Sequence, residues 1–379
     1  MTQAISTLLA QAGNRYDSKT GAISVPIYQT ASFGHPALGQ STGFDYSRSS
    51  NPTRLVLEET LSKVEGGHKG FAFASGMAAI DNVLHLLQQG DQIVVTEDLY
   101  GGTFRLFEKV FRPLGIGVIY VDTSDLIAVR KALEQEGVKA VFVESPTNPL
   151  LKIADIRAIA KAARELGVLT IVDNTFLTPV FQRPLEQGAN IVVYSATKYL
   201  AGHNDVVAGM VVTDKAELSE RIGFYQNAIG GVLGPQDSWL TLRGLKTLPL
   251  RLRQQQENAV VIADWLATHP RVRRVYYPGL PNHPGREILD REHSGYGGMI
   301  SFEVSDSARI PQLLAGVKVF TFAESLGGVE SLITYPAVQT HADIDAEARE
   351  RLGINNRLLR LSVGIEDVGE LTDDLKGVL

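Results

Sequence analysis

The sequence predicts an α/β fold with a parallel sheet, followed by a smaller α+β unit, and three observations carry that prediction. Short β-branched runs recur through the middle of the chain. Amphipathic stretches of helical period separate them. The texture changes again after about residue 248, where short alternating strands replace the apolar runs.

The first sixty residues stand apart, being rich in Ser, Thr, Gly and Pro. The pieces "TGAISVPIYQT" and "STGFDYSRSSNPTR" read as extended and turn-laden, so residues 1–60 are expected to form an arm. From about residue 69 come "GFAFA", "DQIVVTE", "GVIYVDT", "KAVFVES", "GVLTIVDN" and "NIVVYS". Runs that are apolar on both faces are the pattern of central strands in a parallel sheet. The helices between them have readable ends. In "SDLIAVRKALEQEG", Ser124 is the expected N-cap, Leu126, Val129 and Leu133 the buried face, and Gly137 the stop. In "ADIRAIAKAARELG", Ile156, Ile159, Ala163 and Leu166 are expected to point inward, with Gly167 as the stop. Strand, helix, strand at this spacing implies right-handed crossovers, and the α/β domain is expected over residues 61–248. Beyond it, "QENAVVIADWLATHP" reads as a helix, "YYPGLPNHPG" as a break, and "GGMISFEV" and "LLRLSVGIE" as alternating strands. Residues 249–379 are expected to form a C-terminal α+β domain.

Composition removes several function classes. The net charge of −6 gives no electrostatic support to a nucleic-acid partner. The one basic cluster, "RVRR" (Arg271, Arg273, Arg274), reads as a solvated face beside a turn. With no Cys, disulfides and thiolate metal sites are excluded, in keeping with a cytoplasmic location. The eight His show no H-E-x-x-H spacing, so no metal site is expected. The start lacks a basic n-region, and no apolar run approaches a membrane span.

In open α/β sheets, ligands bind beyond the carboxyl ends of the strands. Polar residues stand at such ends here: Glu144 and Ser145, Asp173 and Asn174, and Ser195. A carboxylate placed directly after "VLTIV" is desolvated and calls for a cation or strong donor. "FASGMAAIDNVLHLL" passes from a strand through Ser75-Gly76-Met77 into a helix, which leaves free N–H groups suited to a phosphate. Neither a G-x-G-x-x-G fingerprint nor a Walker loop is present. "SATK" matches the S-x-x-K pattern of serine acyl-transfer enzymes, but "KTG" at Lys19 to Gly21 precedes it rather than follows it. A covalent-cofactor reading explains more at once. Pyridoxal 5′-phosphate (PLP) needs an amine, an anion cradle and a carboxylate for its ring nitrogen. Lys198 supplies the amine, Ser195, Thr197 and the Gly76 and Met77 amides the cradle, Asp173 the carboxylate, and Tyr100 an aromatic face.

The strings "YSRSSNPTR", "SGMAAI", "DLYGGT", "ESPTNPLL", "DNTFLTP", "SATKYLAGHND", "AESLGGVESL" and "RLSVGIED" resemble, in order, the motifs of the Cys/Met-metabolism PLP enzymes, the trans-sulfuration family. The resemblance runs from about residue 13 to 370. It implies the aminotransferase-like fold-type I architecture, with a large, mostly parallel sheet of the seven-stranded type. It also implies a homotetramer of two dimers that share their active sites. By position, Lys198 matches the Schiff-base lysine, Asp173 the partner of the pyridine nitrogen, and Tyr100 the ring-stacking tyrosine. Gly76, Met77, Ser195 and Thr197 match the phosphate cradle, and Asn148 and Thr175 lesser contacts near the ring. Tyr46 and Arg48 match a pair that reaches the neighbouring subunit's phosphate, with Tyr46 also beside the substrate. Arg360 matches the clamp for the substrate α-carboxylate, with Ser325 near it. The strand pattern agrees, because Leu359, Leu361, Val363 and Ile365 alternate inward and leave Arg360 and Ser362 on the other face.

"AESLGG" places Glu324 where the resemblance implies an acidic residue in cystathionine γ-synthases and γ-lyases. Such a carboxylate suits the distal ammonium of cystathionine, and Arg105 its distal carboxylate. The activity the resemblance implies is γ-elimination of cystathionine, with β-elimination as a side reaction. A γ-synthase or O-acetylhomoserine sulfhydrylase is the alternative within the family. A serine acyl-transfer enzyme and a catalytically silent PLP-binding protein are the alternatives outside it.

Overall fold

The computed structural model describes residues 3–342 and 344–379. Seven strands form the large sheet: β1 (Lys69–Phe73), β2 (Gln92–Thr96), β3 (Gly117–Val121), β4 (Val138–Glu144), β5 (Leu169–Asp173), β6 (Ile191–Ser195) and β7 (Gly209–Thr213). Their order is β1-β7-β6-β5-β4-β2-β3. The five strands from β3 to β6 run parallel, while β7 runs antiparallel to both β6 and β1. The sheet is therefore mixed.

The physical reason for the apolar runs is visible in the layering. Along β6, Val192 and Tyr194 enter one core, whereas Ile191 and Val193 enter the core on the opposite face. Both faces are covered by helices, as strands of this composition require. One expectation about strand position fails, and one strand was missed. "GFAFA" is an antiparallel edge strand, and its apolar character comes from the helices Pro52–Glu65 and Ala216–Ile229 packed against it. "GMVVT", β7, was not anticipated at all, although it lies buried between β1 and β6.

Helix ends follow capping chemistry, with two corrections. The helix Leu126–Leu133 is capped by Asp125, whose side chain accepts from the Ile127 and Ala128 N–H groups. Ser124 instead donates to Asp122. A carboxylate one residue further on outcompetes the hydroxyl for the same donors. Gly137 sits in the loop after this helix at φ +81°, not at its end. In the helix Ile156–Glu165, Ile156, Ile159 and Ala163 are buried, and Gly167 takes the left-handed conformation expected of a stop. Leu166, already past the last turn, is 50% exposed.

The smaller domain holds β8 (Val272–Tyr276), β9 (Met299–Val304), β10 (Thr321–Phe322), β11 (Leu332–Thr334) and β12 (Leu358–Ser362), in the order β10-β11-β12-β9-β8. Its core packs Ile300, Phe302, Leu359, Leu361 and Val363 against Ala259, Ile262 and Leu266 of the helix Leu248–Thr268. That helix begins well before "QENAVV". β12 keeps the expected alternation through Val363, but it ends at Ser362 and Ile365 is exposed.

Candidate active site

A cavity of about 330 Å³ opens between the carboxyl ends of β4, β5 and β6 and the inner face of β12. β6 stops at Ser195, and the chain turns at once. Thr197 and Ala208 bond each other, with Thr197 Oγ1 accepting from the Ala208 N–H at 2.9 Å, and the Gly202 N–H reaches back to the Lys198 carbonyl at 2.8 Å. The turn fixes Lys198 with its side chain in the cavity, where Nζ donates to Ser325 Oγ at 3.0 Å. Burial pushes the ammonium down to about 8; the Arg360 charge adds to that shift and Glu324 opposes it.

One wall is a cradle for an anion. Ser75 caps the helix Gly76–Leu84 by accepting from the Ala78 N–H at 3.0 Å. The helix start lies so close to β6 and β7 that side chains do not fit. A Cβ on Gly76 would sit 2.9 Å from Ser195 Cβ, and one on Gly209 2.1 Å from the Ser75 carbonyl oxygen. The Gly76 and Met77 amides, Ser195 and Thr197 thereby share one surface of the cavity.

The floor carries two carboxyls side by side, because Glu144 and Asp173 are register partners on adjacent strands. Asp173 Oδ1 accepts from the Thr175 N–H at 3.0 Å and the Thr175 hydroxyl at 2.5 Å. Its Oδ2 has no hydrogen bond among the described residues. Glu144 accepts from the Tyr100 N–H (3.1 Å) and the Asn148 N–H (2.9 Å). Burial raises both carboxyls, and Asp173 raises Glu144 further. No Lys or Arg among the described residues pairs with either. A cationic ring nitrogen beside Asp173 Oδ2 would satisfy the free oxygen and offset the like-charge repulsion. These residues fit PLP: amine, anion cradle and unsatisfied carboxylate open onto one cavity.

Tyr100 lies at the mouth, just before the helix Gly101–Leu106. Its ring folds over Gly102, where a Cβ would come within 2.5 Å of Tyr100 Cε1, and Gly101 abuts the Thr340 carbonyl. That crowding explains "YGG".

Arg360 reaches the cavity from the other domain. It is 1% exposed, and burial pushes its guanidinium down to about 10. Nη1 donates to Asn148 Oδ1 at 2.7 Å, and Nη2 to the Ser325 carbonyl (3.0 Å) and Thr334 Oγ1 (3.2 Å). Nε is buried with no partner among the described residues, a donor awaiting an acceptor. Ser325 serves both cations, with its hydroxyl on Lys198 and its carbonyl on Arg360, and it holds a left-handed φ of +97°. His341, fully buried and driven down to about 4 chiefly by burial, donates from Nε2 to the Asn148 carbonyl at 2.9 Å.

Asn148, Thr175 and Glu324 also line the cavity, the last with an exposed side chain. Three anticipated residues do not. Tyr46 and Arg48 lie exposed on the arm, where the Arg48 guanidinium stands 5.3 Å from the Tyr46 ring and donates to Asn227. Arg105 is on the exposed side of its helix. Sequence reasoning assigned no part to Glu144, His341 or Thr334. Glu144 carried a readable signal as a carboxylate closing an apolar strand, whereas His341 and Thr334 carried none. The acyl-transfer alternative loses its geometry, since Lys198 bonds Ser325 and not Ser195. Among the described residues there is no His/Asp/Glu cluster fit for a metal, and no helix is long and apolar enough to cross a membrane.

The family model described as "Cys/Met metabolism PLP-dependent enzyme" matches residues 6–379. A cystathionine γ-lyase of Bacillus subtilis is 53% identical over 369 residues, 97% of each chain. A cystathionine β-lyase of Lactococcus lactis subsp. cremoris is 52% identical over 375 residues, covering 99% of this chain and 98% of the other. A crystal structure of cystathionine γ-synthase from Xanthomonas oryzae pv. oryzae, in complex with cystathionine, superposes with a TM-score of 0.97 at 45% identity, covering 99% of this chain and 97% of that one.

Proposed function

The chain belongs to the Cys/Met metabolism PLP-dependent enzymes, and on that premise we propose that it is a carbon–sulfur lyase that cleaves cystathionine by γ-elimination. With one water consumed in releasing the four-carbon fragment, the products are cysteine, 2-oxobutyrate and ammonia. The observation that carries the γ reading is the Glu324 carboxylate, which opens onto the same cavity as Lys198 and Arg360. It offers the distal ammonium of cystathionine a partner at the mouth, while Arg360 takes the α-carboxylate at depth.

When bound, PLP supplies the carbonyl that captures an amine and the electron sink for the broken Cα–H bond. Asp173 Oδ2 would hold its ring nitrogen, the Gly76–Met77 cradle its phosphate, and Lys198 its carbonyl carbon. The rest falls to side chains. The Arg360 guanidinium, through its unpartnered Nε–H, fixes the carboxylate, which orients the Cα–H bond toward Lys198. In the cofactor-free protein burial lowers that amine to about 8, below an ordinary lysine, which favours its neutral form. The neutral amine takes the Cα proton, and a second proton then leaves Cβ. The sulfur departs from Cγ as a thiol, with its proton drawn from Tyr100 or from the newly charged Lys198.

Incubating purified protein with cystathionine and PLP tests the reading. Cysteine plus 2-oxobutyrate supports it, and homocysteine plus pyruvate moves the assignment to β-elimination. Product only from an acylated homoserine and cysteine makes it a γ-synthase.

The proposal includes a site shared between two copies, in a dimer of dimers. Its support is the position of Tyr46 and Arg48, exposed and outside their own chain's cavity. Mixing inactive Arg48→Ala and Lys198→Ala proteins should restore about a quarter of wild-type activity, since half the dimers are mixed and each carries one intact site. No recovery after confirmed exchange would exclude sharing.

A further inference from the structure

We propose that the chain has a second ligand site, for a small organic anion with an apolar body, in a cavity of about 670 Å³ between the two domains. The cluster "RVRR" leads to it. Arg273 and Arg274 lie on β8, an edge strand of the smaller sheet, and the facing wall is Leu150, Lys152 and Ile153 from the loop after β4. No residue lines both this cavity and the active site.

Its charge is one-sided. Lys152, Arg273 and Arg274 line it, and no Asp or Glu does, in a chain whose net charge is −6. Neighbouring acids account for two of these cations. Lys152 Nζ is held by Asp122 (2.8 Å) and Glu97 (3.2 Å) outside the cavity, and Arg273 faces Glu303 at 4.0 Å. Glu303 is also engaged by the Tyr276 hydroxyl at 2.7 Å. Arg274 is different. It has no carboxylate within ion-pair distance among the described residues, and it lies over the Tyr276 ring at 4.5 Å. Stacking on one face leaves the planar edge of a guanidinium, with its N–H donors, open to an acceptor. His283 is fixed within the wall, with Nδ1 accepting from the Gly285 N–H at 3.2 Å, and burial lowers its pKa. Leu280 and Ile288 add apolar surface to Leu150 and Ile153. A carboxylate or phosphate on Arg274, with a hydrocarbon or aromatic body against these residues, uses every part of the cavity. The occupant would touch both domains.

Titration calorimetry on the holoenzyme tests this, with phenyl phosphate and phenylacetate as the two head groups and benzyl alcohol as the neutral control. A saturable component is expected for at least one anion, and the tighter of the two names the head group. Benzyl alcohol should bind at least about tenfold more weakly, and Arg274→Glu should weaken the anion about tenfold or more. Asn282→Asp, which adds a negative charge at an exposed lining position, should also weaken it and serves if Arg274→Glu fails to fold. Lys376→Glu, at a residue that does not line the cavity and is paired with Asp373, should change nothing. No saturation into the tens of millimolar, equal affinity for benzyl alcohol, or unchanged binding in correctly folded Arg274→Glu and Asn282→Asp proteins would overturn the site.

Discussion

The two walls of the active-site cavity are built by different means. The large sheet contributes through strand ends: Glu144, Asp173 and Ser195 close three adjacent parallel strands, and Lys198 lies one turn beyond. The smaller sheet contributes through a strand face, because Arg360 sits mid-strand in β12 and reaches the cavity by alternation. A parallel sheet gathers loop residues at one edge, which suits a group that must be held from several sides. An antiparallel strand gives one rigid side chain with its neighbours locked in register, which suits a clamp. The large-domain wall is thus expected to govern the chemical step and the small-domain wall substrate capture.

Lys198→Ala gives the largest expected effect. Turnover should fall by about 10³-fold or more, because the proposed mechanism makes Lys198 both the cofactor's anchor and the proton carrier. A second readout is independent of activity. The pKa of Lys198 is lowered to about 8 in the folded protein, so folding carries a penalty while the amine is charged in both states. Below pH 8 that penalty is complete. Between pH 8 and about 10.4 the unfolded chain binds the extra proton, so the stability of cofactor-free protein rises with pH. Lys198→Met in the cofactor-free protein should therefore be stabilising at pH 7, by about 2–3 kcal/mol, and should flatten that rise. Denaturant melts at pH 7 and pH 10 measure both. A destabilised variant would mean that the ammonium is not desolvated.

Arg360→Lys comes next. An ammonium cannot reproduce the guanidinium fork between Asn148, Ser325 and Thr334, so KM should rise about 10²-fold with kcat changed much less. If kcat fell and KM held, capture and chemistry would not be divided between the walls.

Glu144→Gln probes the large wall where the sequence assigned it no role. The amide can accept only one of the two N–H bonds now made by Tyr100 and Asn148, and its NH₂ group then faces the other donor. A loss of about 1–3 kcal/mol in stability is expected, with kcat down about tenfold through the displaced Tyr100. Unchanged kcat with lowered stability would make Glu144 a purely structural residue.

The large wall was the more legible one. A carboxylate after five apolar residues, or a Ser-Gly between strand and helix, signals itself locally, and Lys198, Asp173 and the expected cradle do line one cavity. The edge strand β1 was misread as a parallel one for a related reason. Burial on both faces makes an apolar run, whichever direction the neighbouring strand takes. The small wall depends on contacts between distant segments. Arg360 meets Asn148 across 212 residues and Ser325 across 35, and His341 reaches Asn148 across 193. No local pattern encodes such pairings, so Thr334 and His341 were invisible. Arg274 shows the same limit, since its position between two domains is set by folding and not by its neighbours in "RVRR".

Glu324→Gln is expected to give the smallest effect and decides most about specificity. The side chain is exposed at the cavity mouth, so its attraction for an ammonium is screened by water. Charge removal should cost about 0.5–1 kcal/mol, a two- to fivefold rise in KM for cystathionine, with kcat unaltered. The informative control is a substrate of the same backbone without the distal ammonium, for which wild type and Glu324→Gln should be indistinguishable. Equal losses on both substrates would place Glu324 with Lys198, acting through its opposition to the lowered pKa, and would turn a capture residue of the small wall into part of the chemistry.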